Sequence, residues 1–465
     1  MRMMDTYPKD QLETLISKYN RPIPRYTSYP PANFFTEDFD NKDYIQAIKE
    51  SNTEGLSKIS FYIHIPFCKH LCHYCGCNSI GMKNETVIAR YMSTLNSELD
   101  LLLKQIDKNR KLAQIHYGGG SPSSIPIHYL KELNDKIRSN FQTIDHPEIA
   151  LECHPAYLDE KAWMDIVDAG FNRVSIGVQD FDLTVLKTAN RRPSLMPIDK
   201  IIDLLHQAGL TVNLDFIYGL PHQTAESFSN TIKQAIACKP DRLVTFSYAH
   251  VPWVNKRMLI LEKAGLPDKE EKQEMYDNAS KLLVKAGYKP VGMDHFVKPS
   301  DELFLALSEG KLHRNFQGYC TRRTTGQVYG LGATAISQLD NAYAQNIKNL
   351  DGYMNQVEKN RLPIFKGYRL SKKEKITREV IEMLMCNNAL DWNELGTLLK
   401  QKPEEIKKQT AYDVNKMQEL AKDGLIKLSP LRIEVTKLGH PFVRNVAASL
   451  DPLLNGTEKN FSKPL

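Results

Sequence analysis

The 465-residue chain lacks any long run of apolar residues. Its longest apolar stretches are short and interrupted by charges, so none reaches the roughly 18 residues that a membrane-spanning helix needs. The N-terminal residues MRMMDTYPKDQLETL contain no apolar core of a secretion signal, so we expect no membrane association. No block of lysine and arginine stands out and the formal net charge is only +6, so charge gives no reason to expect nucleic-acid binding.

Cysteines are few, but their placement is uneven. Four of the eight lie within ten residues, at Cys68, Cys72, Cys75 and Cys77, and the other four are scattered. A secreted disulfide framework would distribute its pairs over a small chain, whereas this chain is large. The pattern therefore predicts a cytoplasmic protein in a reducing environment with one local metal site.

The middle of the chain alternates between strand-like and helix-like segments. Strands are predicted at KISFYIHI, AQIHY, EIALEC, RVSIGV, TVNLDFIYG and RLVTFSYA, with helices between them. Such alternation is typical of α/β proteins built from βαβ units with parallel strands. Six strands in roughly 190 residues favour a TIM-type barrel, complete or open, over a doubly wound sheet, although periodicity alone does not separate the two. In either fold the active-site residues follow the carboxyl ends of the strands.

These patterns divide the chain into three expected regions. Residues 1–56 predict a short helix and the proline-rich segment NRPIPRYTSYPPANFF, which is either a linker or an arm covering the substrate. Residues 57–365 predict the barrel and its extension, mostly helical over 255–310 and loop-like over 313–338. Residues 366–465 contain lysine-rich helices followed by a short β-hairpin, which predicts a mostly helical, winged-helix-like C-terminal domain.

The strongest chemical signal is the segment FYIHIPFCKHLCHYCGCNSI. Cys68, Cys72 and Cys75 have the spacing CxxxCxxC in a loop that directly follows a predicted strand. Four thiolates saturate a zinc ion or a [4Fe–4S] cluster, whereas three leave one iron open to a substrate. The alternative is a zinc site with Cys77 or His73 as the fourth ligand. Zinc motifs usually have two separated CxxC pairs, and this chain has no second pair.

The cysteine spacing resembles the signature of the radical S-adenosylmethionine (SAM) superfamily. Several further segments are similar to one family within it, the oxygen-independent coproporphyrinogen III oxidases; they are YIHIPFC, HYGGGSP, GFNRVSIGVQDF, NLDFIYGLP, YAH, GMDHF, HRNFQGY and PRYTSYP. The resemblance covers nearly the whole chain. It implies a radical-SAM barrel that holds one [4Fe–4S] cluster and two SAM molecules.

The resemblance also implies a reaction and its partners. Two propionates of coproporphyrinogen III would be converted to vinyl groups by a SAM-derived 5′-deoxyadenosyl radical, giving protoporphyrinogen IX in haem biosynthesis. Carbon dioxide, methionine and 5′-deoxyadenosine would be the other products. The expected partners are the substrate and an electron donor such as a flavodoxin or a ferredoxin, and the expected state is a monomer.

Site residues follow from the same resemblance. Cys68, Cys72 and Cys75 would bind the cluster, and Cys77 is not expected to be a ligand because a fourth ligand would displace SAM. The positions that contact SAM in the family are Tyr62, Tyr74, Gly119, Gly120, Ser121, Glu152, Gln179, Arg191, Asp215, Ala249 and Ile336. No catalytic residue is assigned beyond the cluster and SAM.

The propionates of the implied substrate need cationic or polar partners. The candidates are Arg25 in the PRYTSYP segment, Arg314, Gln317, Arg322 and Arg323, although isolated arginines are as readily solvated surface residues. After HRNFQGY the chain continues as CTRRTTGQ, one residue longer than the TTQGDTD that is frequent in the family. This departure bears on substrate binding more than on SAM binding.

Two other functions share the barrel and the cluster motif. One is a haem chaperone that retains the radical-SAM fold and transfers haem. Such relatives typically lack the fourth cysteine and the PRYTSYP segment, and this chain has both. The other is a haem-degrading radical-SAM methyltransferase.

Overall fold

The structure is a computed structural model of the chain, and it describes residues 9–54, 57–321, 326–457, 459 and 461. Within these residues no helix is both long enough and apolar enough to cross a bilayer. The N-terminal region contains helices α1 (Lys9–Tyr19) and α2 (Asn41–Glu54).

The central region alternates strands and helices as the sequence predicts. Its elements are β1 (Lys58–Ile65), β2 (Phe67–Cys68), β3 (Ile80–Gly81), α3 (Glu85–Leu103), β4 (Lys111–Gly119), α4 (Ile127–Asn140), β5 (Thr143–Cys153), α5 (Glu160–Asp168), β6 (Arg173–Gln179), α6 (Leu183–Thr188), α7 (Ile198–Gln207), β7 (Thr211–Tyr218), α8 (Ala225–Ala237) and β8 (Arg242–Ser247). The six strands predicted from the sequence are confirmed as β1 and β4 to β8.

An extension of mixed structure follows the sixth of these strands. Its elements are α9 (Met258–Lys263), α10 (Lys269–Lys285), β9 (Lys289–Val291), β10 (His295–Val297), α11 (Glu302–Ser308), β11 (Leu312–Asn315), β12 (Gly318–Thr321), β13 (Gln327–Leu331), β14 (Ile336–Gln338), β15 (Ala342–Asn346), α12 (Leu350–Glu358) and β16 (Ile364–Arg369).

The C-terminal region is mostly helical and contains the predicted hairpin. Its elements are α13 (Lys372–Asn387), β17 (Ala389–Asp391), α14 (Trp392–Leu399), α15 (Pro403–Gln409), α16 (Val414–Lys422), β18 (Ile426–Leu428), β19 (Arg432–Val435) and α17 (Val443–Ala448). Strands β17, β19 and β18 form a small antiparallel sheet beside the helices.

The main sheet is an open barrel of parallel strands. Strands β13, β1, β4, β5, β6, β7 and β8 are neighbours in that order and are parallel. Antiparallel strands extend both sides, and the outermost strands, β16 and β9, do not pair with each other. The open form of the predicted barrel is therefore confirmed, and the carboxyl ends of seven parallel strands lie along one rim.

The expected loop over residues 313–338 is wrong, because this segment contains β11 to β14. Strand β13 lies directly beside β1, with Phe61 opposite Tyr329. In the sequence the glycines of this segment indicate a loop, but in the structure they allow neighbouring backbones to pack closely. A side chain at Gly326 would meet the Lys58 carbonyl oxygen at 2.0 Å, and one at Gly330 would meet the backbone of Ile336. The mostly helical expectation for 255–310 likewise missed β9 and β10.

Side chains of the barrel strands alternate between an apolar outer face and a polar inner face. In β1, Phe61 and Ile63 are fully buried and belong to the main core, together with Leu95 and Leu99 of α3. Tyr62 lies on the opposite face of the strand, because successive side chains point to opposite sides. The barrel interior at the rim is therefore available for polar chemistry.

A second core joins the N-terminal segment to the C-terminal helices. Leu15, Tyr26 and Tyr29 pack with residues of α13, α14, α16 and α17. The Tyr26 and Tyr29 hydroxyls each donate a 2.9 Å hydrogen bond to the buried carboxylate of Asp451. Arg444 donates to the Pro24 carbonyl oxygen at 3.0 Å. The proline-rich segment is thus held as an ordered arm rather than a free linker.

Candidate cluster and cofactor site

The cysteine loop is fixed at the carboxyl end of β1. It starts at Cys68 in β2, which pairs with β3 so that Cys68 lies opposite Gly81. Cys72 is buried, Cys68 and Cys75 are partly buried, and Cys77 is exposed. The loop is anchored to its surroundings, since Asn255 donates to the Cys75 carbonyl oxygen at 2.8 Å.

The thiols of this loop lie in different electrostatic surroundings. Arg191 donates from Nη1 to the Cys72 sulfur at 3.5 Å. A hydrogen bond from the Cys77 thiol lowers the pKa of Cys75. Burial, with the nearby Cys75 and Cys72, raises the pKa of Cys68 to about 12. Cys77 therefore favours the thiolate form of Cys75, a candidate cluster ligand, by donating a hydrogen bond to it.

The arrangement fits an iron–sulfur cluster better than a zinc ion. Among the described residues, no three His, Cys, Asp or Glu side chains are arranged as ligands of a single metal ion. His73, a possible zinc ligand in the sequence, has its Nδ1 atom 3.0 Å from the Thr188 carbonyl oxygen instead. In a [4Fe–4S] cluster each thiolate binds a different iron, so three cysteines need not converge on one point.

A side chain at either Gly118 or Gly119, at the end of β4, would collide with a neighbouring side chain. A Cβ atom on Gly118 would lie 2.6 Å from the Glu152 carboxylate, and one on Gly119 would lie 2.4 Å from the His64 ring. Gly119 also has a φ of +109°, which favours glycine. These glycines leave room for the Glu152 and His64 side chains, which lie against the end of β4 at the rim.

Gly120 and Ser121, which follow Gly118 and Gly119, pack against the backbone of residues 66 and 67. A Cβ on Gly120 would collide with the Pro66 backbone at 2.6 Å. Ser121 is buried, and its backbone N–H donates to the Phe67 carbonyl oxygen at 3.0 Å. Gly120 and Ser121 therefore lie against the start of the cysteine loop.

Glu152 belongs to a chain of polar contacts across three strands. The Tyr62 ring stacks on His116 with ring centroids 6.0 Å apart. Nε2 of His116 lies 3.1 Å from Oε1 of Glu152, and the Tyr62 hydroxyl lies 3.2 Å from Nδ1 of His64. Burial lowers the pKa of His64, so its ring is neutral. His64 and His116 were missed in the sequence, although their alternation with apolar residues in β1 and β4 places them on the inner face.

Gln179 and Arg191 meet at the end of β6. Arg191 is buried and donates hydrogen bonds to the Gly177 carbonyl oxygen and, at 3.1 Å, to the Tyr74 hydroxyl. A Cβ on Gly177 would lie within 2.8 Å of both the Gln179 and the Arg191 side chains. The Oε1 atom of Gln179 is buried and has no hydrogen-bond partner among the described residues. It is an acceptor whose hydrogen-bonding capacity these residues do not use.

Asp215 on β7 has the partners that a carboxylate in an apolar strand needs. Ser175 donates to it at 2.7 Å and Asn213 at 2.8 Å. Gly177 lies opposite it in the parallel register, which brings Asp215 close to Gln179 and Arg191. Burial raises the pKa of Asp215, and these hydrogen bonds oppose the rise. Ser175 and Asn213 were also missed, because they look like ordinary strand residues.

Of the remaining SAM candidates, Tyr74 contacts this group through Arg191. Tyr74 packs against the small cluster that contains Val185 and Leu220. Ala249 follows β8 and is partly buried. Ile336 begins β14 and packs against the aromatic cluster that contains Phe35 and Tyr343, next to the arm.

The substrate candidates lie beside the arm. Arg25 is exposed, and Arg314 donates to the Arg25 carbonyl oxygen at 3.4 Å while its guanidinium lies over the Tyr319 ring. Partial burial of the charged groups lowers the pKa of both Arg25 and Lys272, and the charges of Arg314 and Arg25 respectively lower them further. Lys272, which sequence reasoning missed, therefore belongs to the same group of cations.

The other substrate candidates are Gln317 and the two arginines of the CTRR departure. Gln317 is partly buried, and its Oε1 atom accepts a 3.3 Å hydrogen bond from Asn315. Arg322 and Arg323, in the CTRR departure, lie outside the described residues.

Comparison with known proteins agrees with this geometry. Residues 62–235 match the family model described as the radical SAM superfamily. An oxygen-independent coproporphyrinogen III oxidase of Helicobacter pylori is 37% identical over 97% of this chain and 98% of its own length. The Escherichia coli protein of the same name is 37% identical over 95% of both chains.

A solved structure shows the same architecture. The coproporphyrinogen III oxidase of Escherichia coli, described as a radical SAM enzyme, superimposes with a TM-score of 0.86 at 35% identity, covering 93% of this chain and all of the other. An open parallel barrel with a three-cysteine loop after its first strand defines this chain as a radical SAM enzyme. Within that class, the chain belongs to the family of oxygen-independent coproporphyrinogen III oxidases.

Proposed function

We propose that this enzyme oxidatively decarboxylates two propionates of coproporphyrinogen III to vinyl groups, giving protoporphyrinogen IX. Family membership over nearly the full chain is the observation that carries the proposal. For each propionate, one SAM is consumed and carbon dioxide, methionine and 5′-deoxyadenosine are released. One electron from the donor enters to cleave SAM, and one electron passes from the substrate radical to a one-electron acceptor as its carboxylate is lost as carbon dioxide, so the electrons balance.

Cys68, Cys72 and Cys75 are the residues that would hold the [4Fe–4S] cluster. When bound together, the cluster and SAM supply a 5′-deoxyadenosyl radical that can remove a hydrogen atom from a propionate carbon. The protein supplies the orientation around them. Glycines at the end of β4 make room for the Glu152 and His64 side chains at the rim. Glu152, which lies 3.1 Å from His116, offers a carboxylate to hydroxyl or ammonium groups.

We further propose that a second SAM binds beside the first. Two decarboxylations need two radicals, and the rim has a second polar group around Gln179, Arg191 and Asp215. The Gln179 acceptor, which has no partner among the described residues, and the partly buried carboxylate of Asp215 support this assignment. Tyr62, Tyr74, Ala249 and Ile336 would complete the walls of the two cofactor sites.

The propionates that are retained would be bound by cations near the arm. The charge of Arg314 lowers the pKa of Arg25, and the charge of Arg25 lowers the pKa of Lys272, so the three cations repel one another. Asp294 offsets part of this repulsion, and a bound carboxylate would offset more. Gln317 and Arg322 are proposed as additional contacts. A carboxylate bound by arginines positions the reacting carbon, and a misplacement of about 1 Å can cost on the order of a hundredfold in rate.

The setting of the reaction is also proposed. The electron donor is a flavodoxin or a ferredoxin, the enzyme is a cytoplasmic monomer, and the chain divides into residues 1–56, 57–365 and 366–465. Clustered, unpaired cysteines support a reducing compartment. The alternation of elements supports the central division, while the second core indicates that the two end regions fold together.

Anaerobic product analysis tests the function. The reconstituted enzyme, coproporphyrinogen III, SAM and a reductant should yield two carbon dioxide molecules and two 5′-deoxyadenosines per protoporphyrinogen IX. A haem chaperone would instead bind haem tightly and stoichiometrically, transfer it to an acceptor and release no carbon dioxide. A methyltransferase would produce S-adenosylhomocysteine. Either of these results would overturn the proposal.

A further inference from the structure

A surface beside the cysteine loop combines exposed apolar residues with positive charge. The loop, residues 68–77, is packed between two segments, residues 182–193 and 251–263. Asn190 donates to the Leu71 carbonyl oxygen at 3.0 Å, and Asn255 donates to the Cys75 carbonyl oxygen at 2.8 Å. We call the surface formed by these three segments the cluster face.

The apolar part of the cluster face is unusually exposed. Trp253 is 79% exposed, Val254 is 59% exposed and Ile260 is 47% exposed. Trp253 and Val254 immediately precede Asn255, which contacts the loop. Large apolar side chains grouped on a surface mark a place where another molecule binds. Tryptophan is also enriched among the residues that dominate protein–protein interfaces.

The charge of the cluster face is strongly one-sided. Its three segments contain seven lysines and arginines but only two acidic residues, Asp182 and Glu262. Lys256 and Lys263 are exposed in the same segment as the apolar residues, and Lys187 and Arg192 are exposed in the segment 182–193. Glu262 lies 3.4 Å from Nε2 of His250. The face therefore suits a partner whose surface is acidic.

We infer that the cluster face is the docking surface for an acidic protein that delivers single electrons to the cysteine loop. This inference rests on the proposed function, because each SAM cleavage needs one electron from outside. The partner is oxidised by one electron, the cluster held by the loop is reduced by one electron, and no atom is transferred. Docking at the loop would bring the two redox centres close together, and the positive charge of the face would accelerate association with an acidic partner.

Trp253 provides a direct measurement of binding that does not depend on turnover. The chain has three tryptophans, and the other two, Trp163 and Trp392, are buried. An acidic flavodoxin added to the reconstituted enzyme should change the Trp253 emission saturably. The signal is isolated by subtracting a parallel titration of the Trp253→Phe variant. The dissociation constant should increase with salt concentration, since screening weakens attraction between opposite charges.

Charge reversal on the face tests the location. Lys256→Glu with Lys263→Glu should raise the dissociation constant for flavodoxin about tenfold or more. Flavodoxin-driven SAM cleavage should fall in parallel, while dithionite-driven cleavage should not change, because a small reductant needs no docking surface. Lys402→Glu with Lys408→Glu is the matched control, since both lysines are exposed on the C-terminal helices.

Three results would overturn the inference. An unchanged dissociation constant in the Lys256/Lys263 variant would place docking elsewhere. An equal loss of dithionite-driven turnover would assign the face to the substrate or to folding. A change in Trp253 emission with the enzyme's own concentration, accompanied by self-association in sedimentation without flavodoxin, would make the cluster face an interface between two copies of this chain. If flavodoxin binding fails one of these tests while dithionite-driven turnover persists, the docking inference falls and the proposed function stands.

Discussion

The three cysteines of the loop give the most direct test at the scale of single residues. Replacing Cys68, Cys72 or Cys75 by serine should abolish the iron–sulfur absorbance after anaerobic reconstitution, because hydroxyls are much poorer iron ligands than thiolates. Cys77→Ser is the matched control and should retain the cluster, since we propose that Cys77 only donates a hydrogen bond to Cys75. A triple serine variant with a normal cluster would refute the assignment.

Substitution of Asp215, again a single residue, tests the proposed second SAM site. Asp215→Asn should weaken SAM binding about tenfold and leave the cluster absorbance unchanged, because it removes a charge from the cofactor site without removing a metal ligand. Ser175→Ala is a graded control that removes one hydrogen bond to Asp215 and keeps its charge. Equilibrium binding of SAM checks both variants. Unchanged SAM affinity and turnover in Asp215→Asn would give Asp215 a structural role.

At the scale of elements, Glu98 of α3 connects the helix layer to the rim. It accepts hydrogen bonds from the Gly332 backbone at 2.8 Å, from Asn346 of β15 at 2.6 Å and from Tyr353 of α12 at 2.6 Å. Burial raises its pKa from 4.5 to about 7, despite these hydrogen bonds. The folded protein therefore holds this proton more tightly than the unfolded chain does.

This raised pKa predicts a pH-dependent stability. The contribution of Glu98 to the free energy of unfolding should be complete below about pH 4.5 and should decrease by about 3 kcal/mol as the pH rises through 7. Thermal unfolding of the protein and of Glu98→Gln, compared from pH 5 to pH 8, isolates this group, because other titrations cancel in the difference. A difference that does not change with pH would show that Glu98 has an ordinary pKa.

The arm is the element on which substrate binding should depend. Replacing both Tyr26 and Tyr29 by phenylalanine removes the hydroxyl donors of both oxygens of the buried Asp451 carboxylate. The free energy of unfolding should fall by about 1–3 kcal/mol for each oxygen that loses its hydroxyl donor. The KM for coproporphyrinogen III should rise while cluster absorbance and SAM affinity do not change. Tyr412→Phe is the control, since that tyrosine packs on Trp392 instead. Equal KM values in both variants would remove the arm from substrate binding.

The sequence predicted some elements and not others for identifiable physical reasons. Strands β1 and β4 to β8 were predictable because β-branched and aromatic residues fill them. Strand β13 was not, because Gly326 and Gly330 are read as turn residues until their close neighbours Lys58 and Ile336 are seen. The cysteine loop was recognisable from local spacing. His116, Ser175 and Lys272 were not, because their roles depend on contacts between strands or helices that are distant in the sequence.

At the scale of the whole molecule, the two ends of the chain depend on each other. A fragment that ends at residue 370 leaves Leu15, Tyr26 and Tyr29 without the core that buries them. It should bind an apolar dye and aggregate more than a fragment of residues 31–370, which lacks the arm as well, because exposed apolar surface drives association. Dye fluorescence and size-exclusion chromatography check this comparison. Equal behaviour of the two fragments would mean that the arm does not need the C-terminal helices.

The bonds from Tyr26 and Tyr29 to Asp451 also set an order of events during synthesis. They join residues 425 and 422 positions apart. At about 5–20 residues per second, the ribosome exposes the arm on the order of tens of seconds before it makes the partner of that arm. The barrel can fold in this interval, but the arm cannot be fixed. A nascent or prematurely terminated chain would therefore carry the cysteine loop without a secured arm, and only a finished polypeptide would combine radical generation with control over where the radical reacts.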